Sequence, residues 1–236
     1  MQVEVYETET EVYEAVAAHA VGLLAAVTTG RRAVVAVPGG RQGRALMLAL
    51  ASHDDLPWLE TDWCVTHDGL TVAAGEVRAV DLLREEFGRG RGVPDDRIHA
   101  PDAAPSLQES ATGYDRALRR LTADNGEVDL VCLLLSADGD VAAWRVAGGD
   151  MPSDRLAVAA GQDLVTVTPA LVAAARAVVV VAIGAEVCDV VTRVLRGGDH
   201  DETAPVRHVV PSERVTWFSE RAAVTELLRG AEPVEA

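Results

Sequence analysis

Three short stretches hold side chains able to do chemistry. Ser136-Ala137-Asp138-Gly139-Asp140 follows a nearly continuous apolar run made of Val128, Leu130, Val131, Cys132, Leu133, Leu134 and Leu135. Its two carboxylates flank a glycine; Asp140 could act as a general base, with Asp138 beside it raising its pKa. Burial and like-charge repulsion both raise a carboxylate's pKa toward neutrality. Pro38-Gly39-Gly40-Arg41-Gln42-Gly43-Arg44 follows a second apolar run, Ala33 to Val37. Glycines let a backbone approach a phosphate, and free N–H groups at a helix start point at the anion. Guanidinium forks match phosphate oxygens. Gly39, Gly40, Arg41, Gln42 and Arg44, with Gly139 from the acidic turn, are therefore candidate phosphate or substrate ligands. His67, in Thr66-His67-Asp68-Gly69, is a candidate acid or base beside Asp138 and Asp140. Each stretch also has a plainer reading. Asp-Gly is common in turns, Gly-Gly suits any strand-to-helix junction, and a polar histidine often ends a strand. The glycine spacing is neither a Walker loop nor a dinucleotide fingerprint.

The surrounding elements decide whether these stretches can meet. A strand that is apolar on both faces belongs in a parallel sheet covered by helices. Small and acidic residues outside the carboxyl end of such a strand mark the place where α/β proteins put their sites. Strands are expected at Gln2 to Tyr6, Ala33 to Val37, Trp63 to Thr66, Val128 to Leu135, Leu156 to Ala159, Leu164 to Val167 and Val178 to Ile183. Edge strands are expected at Val206 to Val209 and Val215 to Phe218. Helices are expected from Val12 to Val27 with Thr8 or Thr10 as cap, from Ala45 to Ala51, and from Val72 to Phe87. Others are expected from Ser106 to Ala123, from Ala170 to Arg176, up to Arg196, and from Glu220 to Leu228 behind a Ser219 cap. Gly88 to Pro94 reads as a basic solvated loop, or as a lid over a phosphate. The alternation predicts an α/β fold: a doubly wound, mostly parallel sheet flanked by helices on both faces. Residues 1–230 form a single domain in this reading and 231–236 a disordered tail.

Composition narrows the function classes. Acidic residues number 37 against 21 basic ones, a net charge of −16, and every basic residue is arginine. A surface this acidic opposes nucleic acid and anionic membranes. Either a salt-adapted cytoplasm or GC-rich coding would account for it. No charge-free apolar run reaches the 18 residues of a membrane span, and no secretory signal is recognised. Cys64, Cys132 and Cys188 lack metal spacing and are odd in number, which points to reduced core residues in a cytoplasm. No cofactor or metal is expected, and the oligomeric state is left open.

The order of these pieces resembles the 6-phosphogluconolactonase family, which shares its fold with glucosamine-6-phosphate deaminases. Gly39 to Leu46 is similar to the family's Gly-Gly-Ser-Thr-Pro phosphate loop. Val128 to Ala142 is similar to its strand ending in Gly-X-Gly-X-Asp-Gly-His-Thr-Ala-Ser. Thr166 to Arg176 followed by Val178 to Glu186 resembles Thr-Leu-Thr-Pro-Pro-X-X-Asn-Ala-Ala-Arg and the strand ending in Gly-X-X-Lys. The resemblance implies metal-independent hydrolysis of a sugar-phosphate lactone, with a small-molecule sugar phosphate as partner. It also exposes departures. The family's catalytic histidine falls on Asp140, its loop Ser and Thr on Arg41 and Gln42, its phosphate-binding lysine on Val187, and its Asn on Ala173. Its Gly-Asp-Glu-Arg segment falls near Thr66-His67-Asp68-Gly69, which has no arginine. Two alternatives stay open: a non-catalytic member that binds a sugar phosphate or a protein partner, and a sugar-phosphate isomerase or deaminase.

Overall fold

The computed structural model describes residues 2–71, 77–125, 127–148, 151–196, 204–209 and 212–229. In chain order the strands are β1 (Gln2–Tyr6), β2 (Ala33–Val37), β3 (Thr61–Val65), β4 (His67–Gly69), β5 (Ile98–His99), β6 (Leu130–Leu134), β7 (Ala157–Ala160), β8 (Leu164–Val167), β9 (Ala177–Ala182) and β10 (Val215–Glu220). The α-helices are α1 (Glu9–Val27), α2 (Gly40–Ala51), α3 (Ala79–Leu83), α4 (Leu107–Asn125), α5 (Trp144–Ala147), α6 (Pro169–Ala173), α7 (Cys188–Arg196) and α8 (Thr225–Arg229). Seven strands form one parallel sheet in the order β1-β10-β9-β6-β2-β3-β5, and a three-stranded antiparallel sheet runs β4-β8-β7. Helices flank the large sheet, as expected of a doubly wound α/β fold: α1 packs on α2 and β10, α4 over β2, and α7 on α8.

The central strands are apolar throughout because both faces are covered. Every residue of β2, β3 and β9 is buried. Thr8 caps α1 through a capping box with Glu11, which fixes where that helix begins. By length and composition α1 could cross a membrane, yet its stripe Val12, Val16, Ala20 and Leu24 is buried in the core of the fold.

One buried carboxylate ties the middle of the sheet together. Asp129 accepts Arg31 Nη2 at 2.6 Å on one oxygen, and Arg31 Nη1 at 2.8 Å and the Val34 N–H at 2.9 Å on the other. Its own N–H donates to the Val34 carbonyl, and its carbonyl accepts the Ala177 N–H. Asp129 thus fixes β6 against both β2 and β9.

Several expectations need correction. Val206 to Val209 is not a strand: Pro205 sets the backbone for a 3-10 turn, Pro205–His208. β10 is not an edge strand, because β1 arrives from the far end of the chain and pairs with it. Ser219 caps nothing; it is a buried residue of β10, and a 3-10 turn, Arg221–Val224, precedes α8. The helix expected from Val72 to Phe87 starts only at Ala79, and Val77, ahead of it, is exposed. It continues as a π-helix, Arg84–Arg89, where Phe87 packs against both Trp58 and Trp63, which stack on each other. This winding absorbs part of the loop expected from Gly88. The lid reading finds no support: Arg89 pairs with Glu85, and Arg91 pairs with Asp54 and lies over Trp58. The expectations for 72–76, for the acidic loop at 197–203 and for the tail lie outside the described residues.

Removing the Asp129 carboxylate strands the Arg31 guanidinium and the Val34 N–H. Asp129→Ala is expected to cost about 3 kcal/mol. Urea unfolding checks this as a lower midpoint at unchanged slope.

Candidate active site

The glycine turn leaves the carboxyl end of β2 and the acidic turn leaves that of β6. These strands are neighbours, with Val35 opposite Leu130 and Ala36 opposite Val131. From β2 the chain continues to β3 on one side, and from β6 to β9 on the other. A crevice opens where strand order diverges in this way. A hollow of about 510 Å³ occupies that place, lined by Gly39, Gly40, Arg41, Gln42, His67, Ser136 and Asp140, with Val141, Ala142, Ala143, Ile183, Glu186 and Val187 among its further walls.

The helix behind the glycine turn begins at Gly40, five residues before the expected Ala45. Gly40 has φ +75°, which favours glycine, and a Cβ at Gly43 would sit 2.3 Å from the Pro38 carbonyl oxygen. These two glycines let α2 start immediately above the strand. No side chain caps the start of α2, and its first turn holds no acid. Its free N–H groups and partial positive charge are therefore uncompensated at the hollow. Arg41 lines the same wall. Arg44 does not; one turn further along α2, its Nε and Nη2 lie 3.3 Å from Glu86 Oε1. The expected pair of guanidiniums is thus one.

The acidic turn is folded on itself. The Asp140 N–H donates to Ser136 Oγ at 3.0 Å, and the Gly139 N–H to the Ser136 carbonyl at 2.9 Å. Asp138 lies outside the hollow. It pairs with Arg145 Nε at 2.7 Å and accepts the Ser136 hydroxyl, which with Arg145 holds its pKa below the usual carboxylate range. Gly139 also lies outside the lining. It has φ +78°, a Cβ there would come within 2.9 Å of Ala204 Cβ, and its carbonyl accepts the Val206 N–H. Both residues shape the turn that presents Asp140.

Asp140 uses Oδ1 to accept the Val141 and Arg145 N–H groups, each at 2.9 Å. Among the described residues Oδ2 has no protein partner. Burial raises its pKa above the usual carboxylate value, with Asp138's charge adding to the rise and the two N–H bonds opposing it. His67 opens β4, opposite Thr166 of β8, with Nδ1 3.1 Å from Thr66 Oγ1. Burial pulls its pKa down to about 4, so it stands neutral at pH 7.

Residue chemistry alone did not reach the third wall, although the resemblance pointed to Val187 on it. Ile183, Glu186 and Val187 follow the carboxyl end of β9, the strand next to β6. The same rule that singled out β2 and β6 would have reached them. It also missed α5, opened by Ala142 and Ala143 at φ +51° and +58° and anchored by Trp144 Nε1 donating to the Val167 carbonyl at 2.7 Å. Nothing in the sequence marks two successive left-handed alanines. Among the described residues no group of three His, Cys, Asp or Glu could hold a metal.

Residues 7–217 match a family model described as glucosamine-6-phosphate isomerases/6-phosphogluconolactonase. Among solved structures, the 6-phosphogluconolactonase from Trypanosoma cruzi superposes with a TM-score of 0.80 at 17% identity, covering 96% of this chain and 96% of that one. The 6-phosphogluconolactonase from Thermotoga maritima gives 0.77 at 18% identity, covering 93% and 99%. A monomeric glucosamine-6-phosphate deaminase gives 0.77 at 13% identity, covering 95% and 99%. No curated protein sequence matched.

The raised pKa of Asp140 has a stability consequence. Its contribution is full below the unfolded carboxylate's value and is lost as pH rises through the higher folded value. Asp140→Asn keeps an acceptor for both N–H groups without the charge. The variant should melt above wild type at pH 7, and the gain should vanish near pH 3. Thermal scans across that range check it.

Proposed function

Because the chain belongs to the glucosamine-6-phosphate isomerase/6-phosphogluconolactonase family, we propose that its hollow takes a sugar phosphate and opens a lactone ring of the 6-phosphogluconolactone type. The observation that carries this reading is the meeting of an uncapped helix start, a guanidinium and a carboxylate of raised pKa in one crevice. The phosphate would sit on the first N–H groups of α2 with Arg41. Asp140 Oδ2 would take a proton from water as the oxygen adds to the lactone carbonyl. An ordinary aspartate lies about three units below pH 7 and is a weak base; burial narrows that gap. Collapse of the tetrahedral intermediate breaks the ring C–O bond, and Asp140 returns the proton it took to the departing oxygen, which the neutral imidazole of His67 meets with an N–H hydrogen bond. The new carboxylic acid ionises and releases one proton. The buried free thiols support a reducing cytoplasm as its compartment.

A second reading, binding without turnover, is favoured by the third wall. Val187 is an aliphatic side chain where the resemblance puts a phosphate-binding lysine, and Arg41 shares the lining with two carboxylates, Asp140 and Glu186.

Proton release from freshly made 6-phosphogluconolactone should exceed the spontaneous rate. Asp140→Ala should lower the catalysed rate by about 100-fold or more. Arg41→Ala should weaken 6-phosphogluconate binding by about tenfold or more, the worth of a charged hydrogen bond. Tight binding with no rate above background would select the second reading, and an unaffected rate in Asp140→Ala would remove Asp140 from the chemistry. Ammonia release from glucosamine 6-phosphate would point to the deaminase branch instead.

A further inference from the structure

Directly behind the glycine turn lies a buried ion pair that the proposed chemistry does not use. Asp68 follows His67 on β4, and its side chain is only 1% exposed. Oδ1 accepts the Ala79 N–H at 2.8 Å, and Oδ2 accepts Arg78 Nη2 at 2.8 Å. The same Nη2 donates to the Pro101 carbonyl at 3.0 Å, while Arg78 Nε is buried without a partner. The guanidinium that meets the 66–69 stretch thus comes from ten residues downstream. Ala79 opens α3, which packs on α2. Gly39 rests on it: a Cβ at Gly39 would lie 2.6 Å from Ala79 Cβ and 3.3 Å from its Cα.

We propose that Asp68 is a positioning residue, which holds Ala79 through its N–H and through Arg78 and so sets the height of Gly39, the start of α2 and Arg41. The contact is the Gly39 backbone against the Ala79 methyl, with no flexible side chain to absorb a shift. Without the carboxylate's charge, a guanidinium already short of partners is drawn toward water, and Ala79, the next residue, moves with it. Asp68 also anchors the strand that carries His67, so one side chain places two walls of the hollow. As a role in ligand binding, the proposal rests on the sugar-phosphate reading; as geometry, it can be tested without any ligand.

Asp129 provides the control. It too is a buried carboxylate holding one arginine and one backbone N–H, but at the opposite ends of the strands. Asp68→Asn is expected to shift the backbone amide resonances of Gly39 and Gly40 in the ligand-free protein. It is also expected to raise the Kd for 6-phosphogluconate and for inorganic phosphate at least tenfold. Asp129→Asn should lower stability and leave those resonances and both Kd values in place, with Arg31→Gln as its substitute if it fails to fold. Arg78→Lys should keep most of the affinity and Arg78→Met should lose it. Arg78→Met, which retains the Asp68–Ala79 bond, replaces Asp68→Asn if that variant does not fold. Unmoved Gly39 and Gly40 resonances, or equal effects from Asp68→Asn and Asp129→Asn, would overturn the proposal. Shifted resonances in a protein that binds neither anion would uphold it and remove the sugar-phosphate reading alone.

Discussion

The register of β6 between β2 and β9 is the constraint on which the site depends; the backbone ladders set it, and Asp129 adds stability at their amino ends. A carboxylate with no exposed surface survives only if its oxygens are satisfied, and here Arg31 and the Val34 N–H satisfy them. The bond lies at the amino ends of the strands. At about 3.3 Å per residue, the hollow lies roughly 15–20 Å away at their carboxyl ends. A slip of one residue would turn every side chain to the other face of the sheet and would carry the glycine turn and the acidic turn out of step.

A single physical cause then gives the two titratable walls their character. Burial raises Asp140, whose charged form is the deprotonated one, and lowers His67, whose charged form is the protonated one. Both shifts favour the neutral species, so charge in the hollow is costly. Opposing this, the uncapped start of α2 and Arg41 make one end attractive to an anion. Asp138, next but one to Asp140, goes the other way because its hydroxyl and guanidinium partners stabilise the charge. Neighbouring carboxylates thus divide into one that builds the turn and one that faces the ligand space.

Much of the fold was legible because local pattern and tertiary outcome agree. The bounds of β2 and β8, the Thr8 cap and the buried run of β6 all follow from apolar runs and capping chemistry. The failures are non-local. β10 reads as an edge because its outer neighbour, β1, comes from the opposite terminus. Val206 to Val209 has strand composition, but Pro205 winds it into a turn whose Val206 N–H serves Gly139. The site was legible in part: both turns were visible as glycine or acid after a strand. Which side chains line the hollow was not. Arg44 and Arg41 differ only by their angle and height on α2, and that decides that one meets Glu86 and the other the crevice. The Asp68–Arg78 pair was invisible because its partners are separated by ten residues of irregular spacing.

The absence of lysine has a consequence at high pH. Each basic partner of the buried carboxylates Asp129 and Asp68 is a guanidinium, Arg31 and Arg78, the side chain that holds its charge most firmly. Alkali therefore cannot dissolve these pairs by discharging the cation. The weak point moves to the acids that ionise late. Burial raises all three tyrosines, Tyr6 to about 12 and Tyr13 and Tyr114 further, and lifts the Cys64 and Cys132 thiols as well. Groups that stay protonated in the fold but ionise in the open chain draw the equilibrium toward unfolding once pH passes their ordinary values. The alkaline limit of this molecule is set by phenols and thiols in its core, while its salt links persist past that point.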